Sequence, residues 1–197
     1  KIAELLKVGA TENTVADPDL TKLIDEIKEA NKSVFEKVVA KTDIYLDGVR
    51  ANVRTKETNL GNLSADAVRA AAGADVGLVN GGNIRIDIQP GDITFGMVAE
   101  LFPFGNTVQV KKITGEDLLA VLEHSVSGYP AAQGGFMQVS GLTFVFDPAQ
   151  PVGSRVVEVT VGDKALDKTA EYTVAINDFL GIGGDGYEMF KKYTAVA

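Results

Sequence analysis

The sequence is poor in the side chains that most often carry metal and redox chemistry. It contains no cysteine and no tryptophan, and His124 is its single histidine. A chain without cysteine forms no disulfide, no thiolate nucleophile, no iron–sulfur cluster and no cysteine-ligated zinc site. One histidine is too few for a zincin motif or for a histidine-rich two-metal phosphatase centre within these residues. Much of hydrolytic chemistry is therefore excluded from the 197 residues themselves.

Long apolar runs and strongly basic runs are missing as well. Asp75, Arg85, Asp87 and Asp92 interrupt the most hydrophobic stretch, which falls short of the about 18 to 20 apolar residues that span a bilayer. We therefore expect a soluble chain without a membrane span, and no signal peptide in these residues. The net charge of −8, with no run rich in Lys or Arg, predicts that nucleic acid is not a partner.

What is present indicates an ordinary globular fold. Hydrophobic residues make up 45% of the chain and charged residues 23%, which suffices for one sizeable core. Helical periodicity alternates with short apolar runs bounded by Gly, Pro and Asp. The pattern predicts an α+β fold, a mixed β-sheet domain with packed helices, preceded by a long helix.

The long first helix is predicted from its start signal and its periodicity. Asp17 and Pro18 supply an N-cap and a proline at the first helical position. Apolar residues then recur at three- and four-residue steps as far as Val39, with charged residues on the other face. This pattern predicts an amphipathic helix of roughly six turns. Apolar residues on it, such as Leu20 and Ile24, would be exposed in an isolated chain and favour self-association.

The remaining elements follow from caps, glycines and apolar runs. Helices are predicted over 60–72, 94–101 and 118–126. The N-cap is Thr58 or Asn59 in the first, Thr94 in the second and Thr114 in the third, and Gly73 ends the first. Strands are predicted over 41–46, 75–79, 107–113, 137–139, 142–146, 156–161 and 172–176. Residues 177–186 are predicted to form a loop, and a short helix is expected from Tyr187.

Two glycine-rich segments are candidate binding loops. Residues 181–186 match the pattern G-x-G-x-x-G, but only 11 residues follow, too few to complete a dinucleotide-binding βαβ unit. The aromatic Phe179 and the carboxylate of Asp185 beside these glycines suggest a binding loop of another kind. In residues 80–85, two glycines free backbone amides ahead of Arg85, an arrangement that suits an oxyanion such as phosphate or carboxylate.

His124 and the phenylalanines have simpler interpretations. His124 lies in a helix with an apolar face and is predicted to be structural, while the adjacent Ser125 points elsewhere and makes a poor catalytic pair. Phe102 and Phe136 are expected in the core. Phe104 is the exception, because Pro103 and Gly105 place it on a rigid turn.

The order of five motifs resembles the C-terminal domain of the 5'-nucleotidases, a family that includes bacterial UDP-sugar hydrolases and the animal ecto-enzyme. The motifs are E-T-N-L-G-N-L at 57–63, N-G-G-N-I-R at 80–85, F-P-F-G-N at 102–106, E-H-S-V at 123–126, and N-D-F-L with G-G-D-G over 177–186. The resemblance implies that residues 44–197 form the substrate-binding domain. Residues 1–43 then correspond to the interdomain segment and linker helix.

The resemblance also implies a role for each site residue. Phe104 and Phe179 would stack on either side of the base, and Asp185 would accept hydrogen bonds from the ribose hydroxyls. Arg85 would contact the phosphate with Asn80 beside it, and Gly183 belongs to the same binding loop. A further cation would come from Arg54 or from its neighbours, without a choice among Arg50, Arg54 and Lys56. Two departures are small: Asn83 replaces a glycine common in the family, and Tyr187 replaces the commoner Phe.

In that family a separate N-terminal metallophosphoesterase domain carries two divalent metal ions and the catalytic residues. None of its motifs occurs in this sequence, so this chain is expected to bind a nucleoside or nucleotide without cofactor and to be inactive alone, with the N-terminal domain of the parent protein as partner. The family implies nucleotide catabolism in a secreted, periplasmic or cell-surface location. Two alternatives stay open: a stand-alone nucleotide-binding module and a purely structural domain. Hydrolysis by Asp178 and Asp185 is a remote third.

Overall fold

The structure, a computed structural model, describes residues 16–197. The weakly patterned residues 1–15 lie outside this range. The helices are α1 (Pro18–Phe35), α2 (Arg50–Val53), α3 (Asn59–Ala72), α4 (Phe95–Leu101), α5 (Gly115–Ser125) and α6 (Asp178–Gly181), with two 3-10 turns at Gly184–Gly186 and Glu188–Lys192. The strands are β1 (Val38–Thr42), β2 (Val76–Asn80), β3 (Gly91–Thr94), β4 (Val108–Thr114), β5 (Met137–Ser140), β6 (Leu142–Phe146), β7 (Val156–Val161), β8 (Lys164–Ala165) and β9 (Glu171–Asn177).

A mixed four-stranded sheet in the order β4-β9-β2-β5 forms the centre of the domain. β2 and β9 run parallel, whereas β4 pairs with β9 and β5 with β2 in antiparallel fashion. Because β2 and β9 are parallel, their last residues, Asn80 and Asn177, lie at the same edge of the sheet. This arrangement confirms the predicted α+β class, and that edge carries the candidate site.

Two apolar clusters cover the opposite faces of the sheet. Every residue of β2 is buried, and successive side chains of a strand point to opposite faces. Leu78 packs in one cluster with Leu118 and Leu122 of α5, while Val79 packs in the other with Leu60 of α3. The sheet is thus held between these two helices. Two smaller sheets, β1-β3 and β6-β7-β8, complete the fold.

The caps predicted from the sequence are confirmed. The Thr58 hydroxyl accepts a hydrogen bond from Gly61 N at 3.0 Å, and Thr94 and Thr114 cap α4 and α5 through the amides three residues on. Gly73 ends α3 in the left-handed conformation, with φ at 62°. A cap of this kind satisfies backbone groups that the helix itself leaves unpaired.

The chain differs from the prediction between residues 36 and 46. The first helix ends at Phe35 rather than Val39, and the strand covers Val38–Thr42 rather than 41–46. The reason is non-local: β1 pairs with β3, and the carbonyl of Lys37 accepts a hydrogen bond from Phe95 N at 2.8 Å. Of the predicted strand's second half, only Leu46 forms a bridge, with Ile88.

The last predicted loop also differs in part. Residues 178–181 form one helical turn, because the Asn177 side chain accepts a hydrogen bond from Leu180 N at 2.8 Å. The expected final helix is a 3-10 turn.

The first helix, α1, leaves its apolar residues uncovered. No residue of α1 is buried, and its last residue, Phe35, packs against α4, with its ring centre 6.2 Å from that of Phe95. Leu20, Leu23, Ile24 and Ile27 are about half exposed or more. Of the helices that the structure describes, none combines the length and hydropathy of a membrane span.

Candidate functional site

A pocket of about 580 Å³ opens at the sheet edge where β2 and β9 end. Five segments contribute its walls: the turn after α2, the loop after β2, the turn between α4 and β4, the segment between α5 and β5, and the chain that follows β9. Ten residues line it, and they are Arg54, Asn80, Gly82, Asn83, Arg85, Phe104, Asn106, Gly134, Phe179 and Asp185. Six of the seven residues predicted for the site are among them. Gly183 is not, and neither Arg50 nor Lys56 lines this pocket.

Close backbone contacts hold the loop after β2 against its neighbours. The amide of Gly82 donates to the carbonyl of Gly134 at 2.7 Å, and that of Gly81 donates to the carbonyl of Phe136 at 2.7 Å. A Cβ atom at Gly81 would lie 2.1 Å from the carbonyl oxygen of Val53. Glycine is therefore required for the three segments to meet.

Asn80 connects the two parallel strands to the opposite wall of the pocket. Its Nδ2 donates to Asp185 Oδ2 at 2.8 Å, and its Oδ1 accepts from Asn177 Nδ2 at 3.0 Å. Asn177 in turn caps the helical turn that carries Phe179. Asn80 is buried, and both of its polar atoms have protein partners. Its geometry therefore fits a residue that positions Asp185 and Phe179.

Asp185 is held in an unusual backbone conformation. Its φ of 52° makes it the one non-glycine residue with positive φ in the described part of the chain, and such conformations concentrate at functional sites. His124 Nε2 lies 2.8 Å from the Asp185 carbonyl oxygen, so that nitrogen carries the donated proton. Gly183, with φ at 92°, permits the turn without lining the pocket.

His124 is structural, as the sequence predicted, and it helps to hold two loops of the site in place. Its ring packs edge-on against Tyr187 with centroids 4.5 Å apart. Tyr187 is fully buried, and its hydroxyl donates to the carbonyl of Gly135. Burial raises the pKa of Tyr187, which keeps the phenol neutral and able to donate. Together the two rings fix the loops that bear Asp185 and Gly134.

Two phenylalanine rings in the pocket wall are left exposed. Phe104 is 59% exposed and Phe179 is 41% exposed, although aromatic rings usually lie in the core. Phe136 is buried and Phe102 packs against the second core cluster, as predicted. The Phe179 ring lies against Gly184, where a Cβ atom would come within 2.5 Å of Phe179 Cε1. The missing side chain makes room for the ring.

Two guanidinium groups provide positive charge in the pocket. Arg85 lies with its Cζ 5.5 Å from the centre of the Phe104 ring, and its Nη1 donates to the Gly82 carbonyl at 3.2 Å. Arg54 enters from the turn after α2. Partial burial lowers the pKa of Arg54, and the nearby charges of Arg50 and Arg85 lower it further. Two cations held close together favour a shared anionic ligand.

The Asp178 carboxylate stabilises the wall of the pocket through hydrogen bonds and does not form part of the pocket lining. Asn106 Nδ2 donates to Asp178 Oδ1 at 2.8 Å, and Thr107 Oγ1 donates to Oδ2 at 3.1 Å. The pKa of this carboxyl is lowered, first by the bond from Asn106. These bonds tie the Phe104 turn to α6, which carries Phe179. Asp178 does not line the pocket, so the remote alternative of a hydrolytic Asp178–Asp185 pair gains no support.

The sequence reasoning missed Gly134 altogether. Nothing in its local pattern signals a site, because its contact with Gly82 depends on the pairing of β2 with β5. Asn106 belongs to the F-P-F-G-N motif, but no local pattern indicates its hydrogen bond to Asp178.

A second concave surface lies elsewhere on the domain. A groove of about 610 Å³ is lined by the aromatic side chains of Tyr129, Phe144 and Phe146 and by Lys56. It contains none of the seven predicted site residues. Within residues 16–197, no group of three or more His, Cys, Asp or Glu side chains is arranged to hold a metal ion.

The pocket and the fold define a class of protein: an α+β domain whose site combines exposed aromatic rings, two guanidinium groups and one carboxylate. The family profile for the 5'-nucleotidase C-terminal domain matches residues 38–192. This chain belongs to that family.

Relatives and a solved structure agree with the assignment. The chain is 43% identical to the trifunctional nucleotide phosphoesterase protein YfkN of Bacillus subtilis, covering 92% of this chain and 13% of that protein. It is 33% identical to the snake venom 5'-nucleotidase of Macrovipera lebetinus, covering 85% of this chain and 47% of that protein. The crystal structure of a 5'-nucleotidase precursor from Thermus thermophilus superposes with a TM-score of 0.84 at 39% identity, over 93% of this chain and 38% of that one. The chain thus spans less than half of each.

Proposed function

We propose that this chain is the nucleotide-recognition domain of a 5'-nucleotidase, an enzyme that hydrolyses nucleoside 5'-phosphates to nucleoside and phosphate. The observation that carries the proposal is the exposure of two phenylalanine rings, Phe104 and Phe179, in one pocket with two arginines and one aspartate. A nucleotide offers matching chemistry: a flat base, vicinal hydroxyls and a phosphate.

Each part of the ligand has a partner of suitable type. The base stacks between Phe104 and Phe179, which requires only two aromatic faces and so tolerates several bases. The ribose hydroxyls donate to Asp185, whose carboxylate is held by Asn80. The phosphate accepts hydrogen bonds from Arg85 and from Arg54, which is the member of the Arg50, Arg54 and Lys56 group that lines the pocket.

Catalysis is proposed to reside outside this chain. The relatives named above are two to several times longer than the segment they share with it, which leaves room for a metallophosphoesterase domain with two divalent metal ions. Within the whole protein, the recognition domain delivers the phosphate to that site. The greater length of the relatives favours this proposal over a stand-alone binding module. A structural domain without a ligand is disfavoured by the exposed rings.

The setting of the parent protein is part of the same proposal. We infer that it acts in nucleotide catabolism and that it is secreted, periplasmic or attached to the cell surface. Support comes from the family and from the venom origin of one relative. Residues 1–43 are proposed to connect the two domains.

Calorimetric titration with adenosine and AMP tests binding, and a phosphate-release assay on the same sample tests catalysis. We expect metal-independent binding of both ligands, tighter for AMP, and no phosphate release with or without Mn²⁺. Absence of binding would contradict the proposal, and phosphate release would place the chemistry in this chain instead.

A further inference from the structure

Gln138 makes an unusual set of contacts for a residue outside the pocket. It is the second residue of β5 and is 1% exposed. Its Nε2 donates to the carbonyls of Val53 at 3.0 Å and Lys56 at 2.8 Å, and its Oε1 accepts from Thr58 N at 3.1 Å. One side chain thus binds three backbone groups of a segment that lies 80 to 85 residues away in the sequence.

These partners require an amide at this position. Two carbonyls need donors and one amide needs an acceptor, and glutamine alone among residues of this size supplies both. The neighbouring backbone is shaped to receive it, since a Cβ atom at Gly61 would lie 2.0 Å from Gln138 Oε1. Removal of the amide would leave buried backbone groups unpaired, which is costly.

Arg54 lies inside the segment that Gln138 holds. The carbonyls of Val53 and Lys56 flank it on both sides, and the segment lies between α2 and α3 without a strand partner. On the other side, Gln138 pairs with Val79, the residue before Asn80 at the end of β2. Gln138 therefore connects the turn that bears Arg54 to the strand that leads into the Arg85 loop.

We propose that Gln138 is a positioning residue that fixes the Arg54 turn against the sheet and thereby sets the place of the Arg54 guanidinium in the pocket. Its effect on ligands rests on the proposed function, in which Arg54 contacts the phosphate. Gln138 then contributes to selectivity for phosphorylated over unphosphorylated nucleosides without touching either.

The first test compares AMP with adenosine by calorimetric titration. Gln138→Leu should weaken AMP binding by about tenfold, the size of one charge-assisted hydrogen bond, and change adenosine binding by less than about twofold. The matched control is Ser140→Ala: Ser140 lies on the same face of β5, is 5% exposed, and bonds to Asp66 of α3 at 2.5 Å. This control should leave the ratio of the two affinities unchanged.

A double variant separates positioning of Arg54 from a general loss of structure. In the Arg54→Ala background, Gln138→Leu should cause no further loss in the AMP-to-adenosine ratio, because the group it acts through is gone. Equal losses for both ligands, or a loss of the ratio that persists in this background, would overturn the proposal. If Gln138→Leu fails to fold, Gln138→Asn takes its place, since it keeps the amide but withdraws it by one methylene. The AMP-to-adenosine ratio of this variant, alone and in the Arg54→Ala background, then decides the proposal in the same way.

The second test needs no ligand. Hydrogen exchange of the amides in residues 53–58 should be faster in Gln138→Leu than in the wild type, while exchange in α5 stays the same. If the wild type binds neither ligand, the proposed function fails, and this measurement still decides whether Gln138 holds the segment. Unchanged exchange in 53–58 would overturn the proposal.

Discussion

Removal of the Phe179 ring provides a direct test of base stacking. Phe179 is 41% exposed, so Phe179→Ala should lower the free energy of unfolding by only about 1–2 kcal/mol, against about 3–5 kcal/mol for a fully buried phenylalanine. Stacking of a base on an aromatic ring contributes about 1–3 kcal/mol. Adenosine binding should therefore weaken by about 5- to 150-fold in a variant that still folds.

Arg85→Ala should give the complementary pattern. In the proposed function Arg85 contacts the phosphate, and a charge-assisted hydrogen bond of this kind would contribute about 1.5–3 kcal/mol to AMP binding. Adenosine would lose only the support that Arg85 gives to the Phe104 ring, about 0.5–1 kcal/mol. Phe179→Ala thus weakens adenosine binding more than Arg85→Ala does, whereas Arg85→Ala acts mainly on phosphorylated ligands.

Calorimetric titration of both variants with adenosine and AMP measures the difference. Phe95→Ala is a matched control, because Phe95 is 45% exposed and lies on α4 outside the pocket. This control should bind both ligands like the wild type. The reasoning is refuted if Phe179→Ala behaves like Phe95→Ala, or if Arg85→Ala weakens adenosine and AMP equally.

Three further predictions concern the support of the pocket and the acid stability of the fold. His124→Ala removes the hydrogen bond to the Asp185 carbonyl and should weaken the binding of adenosine by about 5- to 10-fold. The binding of 2',3'-dideoxyadenosine, which lacks the ribose hydroxyls, should change little. Equal losses for the two ligands in calorimetric titration would contradict a ribose role for Asp185. Gly184→Ala places a Cβ atom 2.5 Å from both Cε1 and the carbonyl oxygen of Phe179, so Phe179 must shift and adenosine binding should weaken by at least about fivefold. Unchanged affinity would show that binding does not depend on the present place of this ring. Hydrogen bonds from a threonine on β9 lower the pKa of Asp75, so its stabilisation is present above about pH 4 and lost as the pH falls through its folded pKa. Asp75→Asn should flatten the acid dependence of the free energy of unfolding in denaturant titrations, and an unchanged slope would refute this.

Local signals predicted most of the fold. Caps such as Thr58 and Gly73 act through bonds within a few residues, and they are visible in sequence as type and spacing. The errors arose where pairing is non-local. β1 begins earlier than predicted because it pairs with β3, and β3 itself, four residues long, has no strong pattern of its own.

The same contrast between local and non-local interactions applies to the candidate site. The glycine loops and exposed phenylalanines were predicted because each belongs to a short motif. The contacts that hold these loops in place were not predicted, because they join distant parts of the chain. Gln138 contacts residues 80 to 85 positions away, and His124 contacts Asp185, 61 positions away. A sequence pattern does not show which residues separated by so many positions meet in the fold. It also could not choose among Arg50, Arg54 and Lys56: the turn after α2 places Arg54 in the pocket and Lys56 in the groove, while Arg50 lines neither.

The most direct test of the account is a crystal structure of this chain with AMP. The account predicts the base between Phe104 and Phe179, a ribose hydroxyl on Asp185, and the phosphate on Arg85 and Arg54. AMP bound in the groove of Phe144 and Phe146, or bound in the pocket with its base away from both rings, would contradict it.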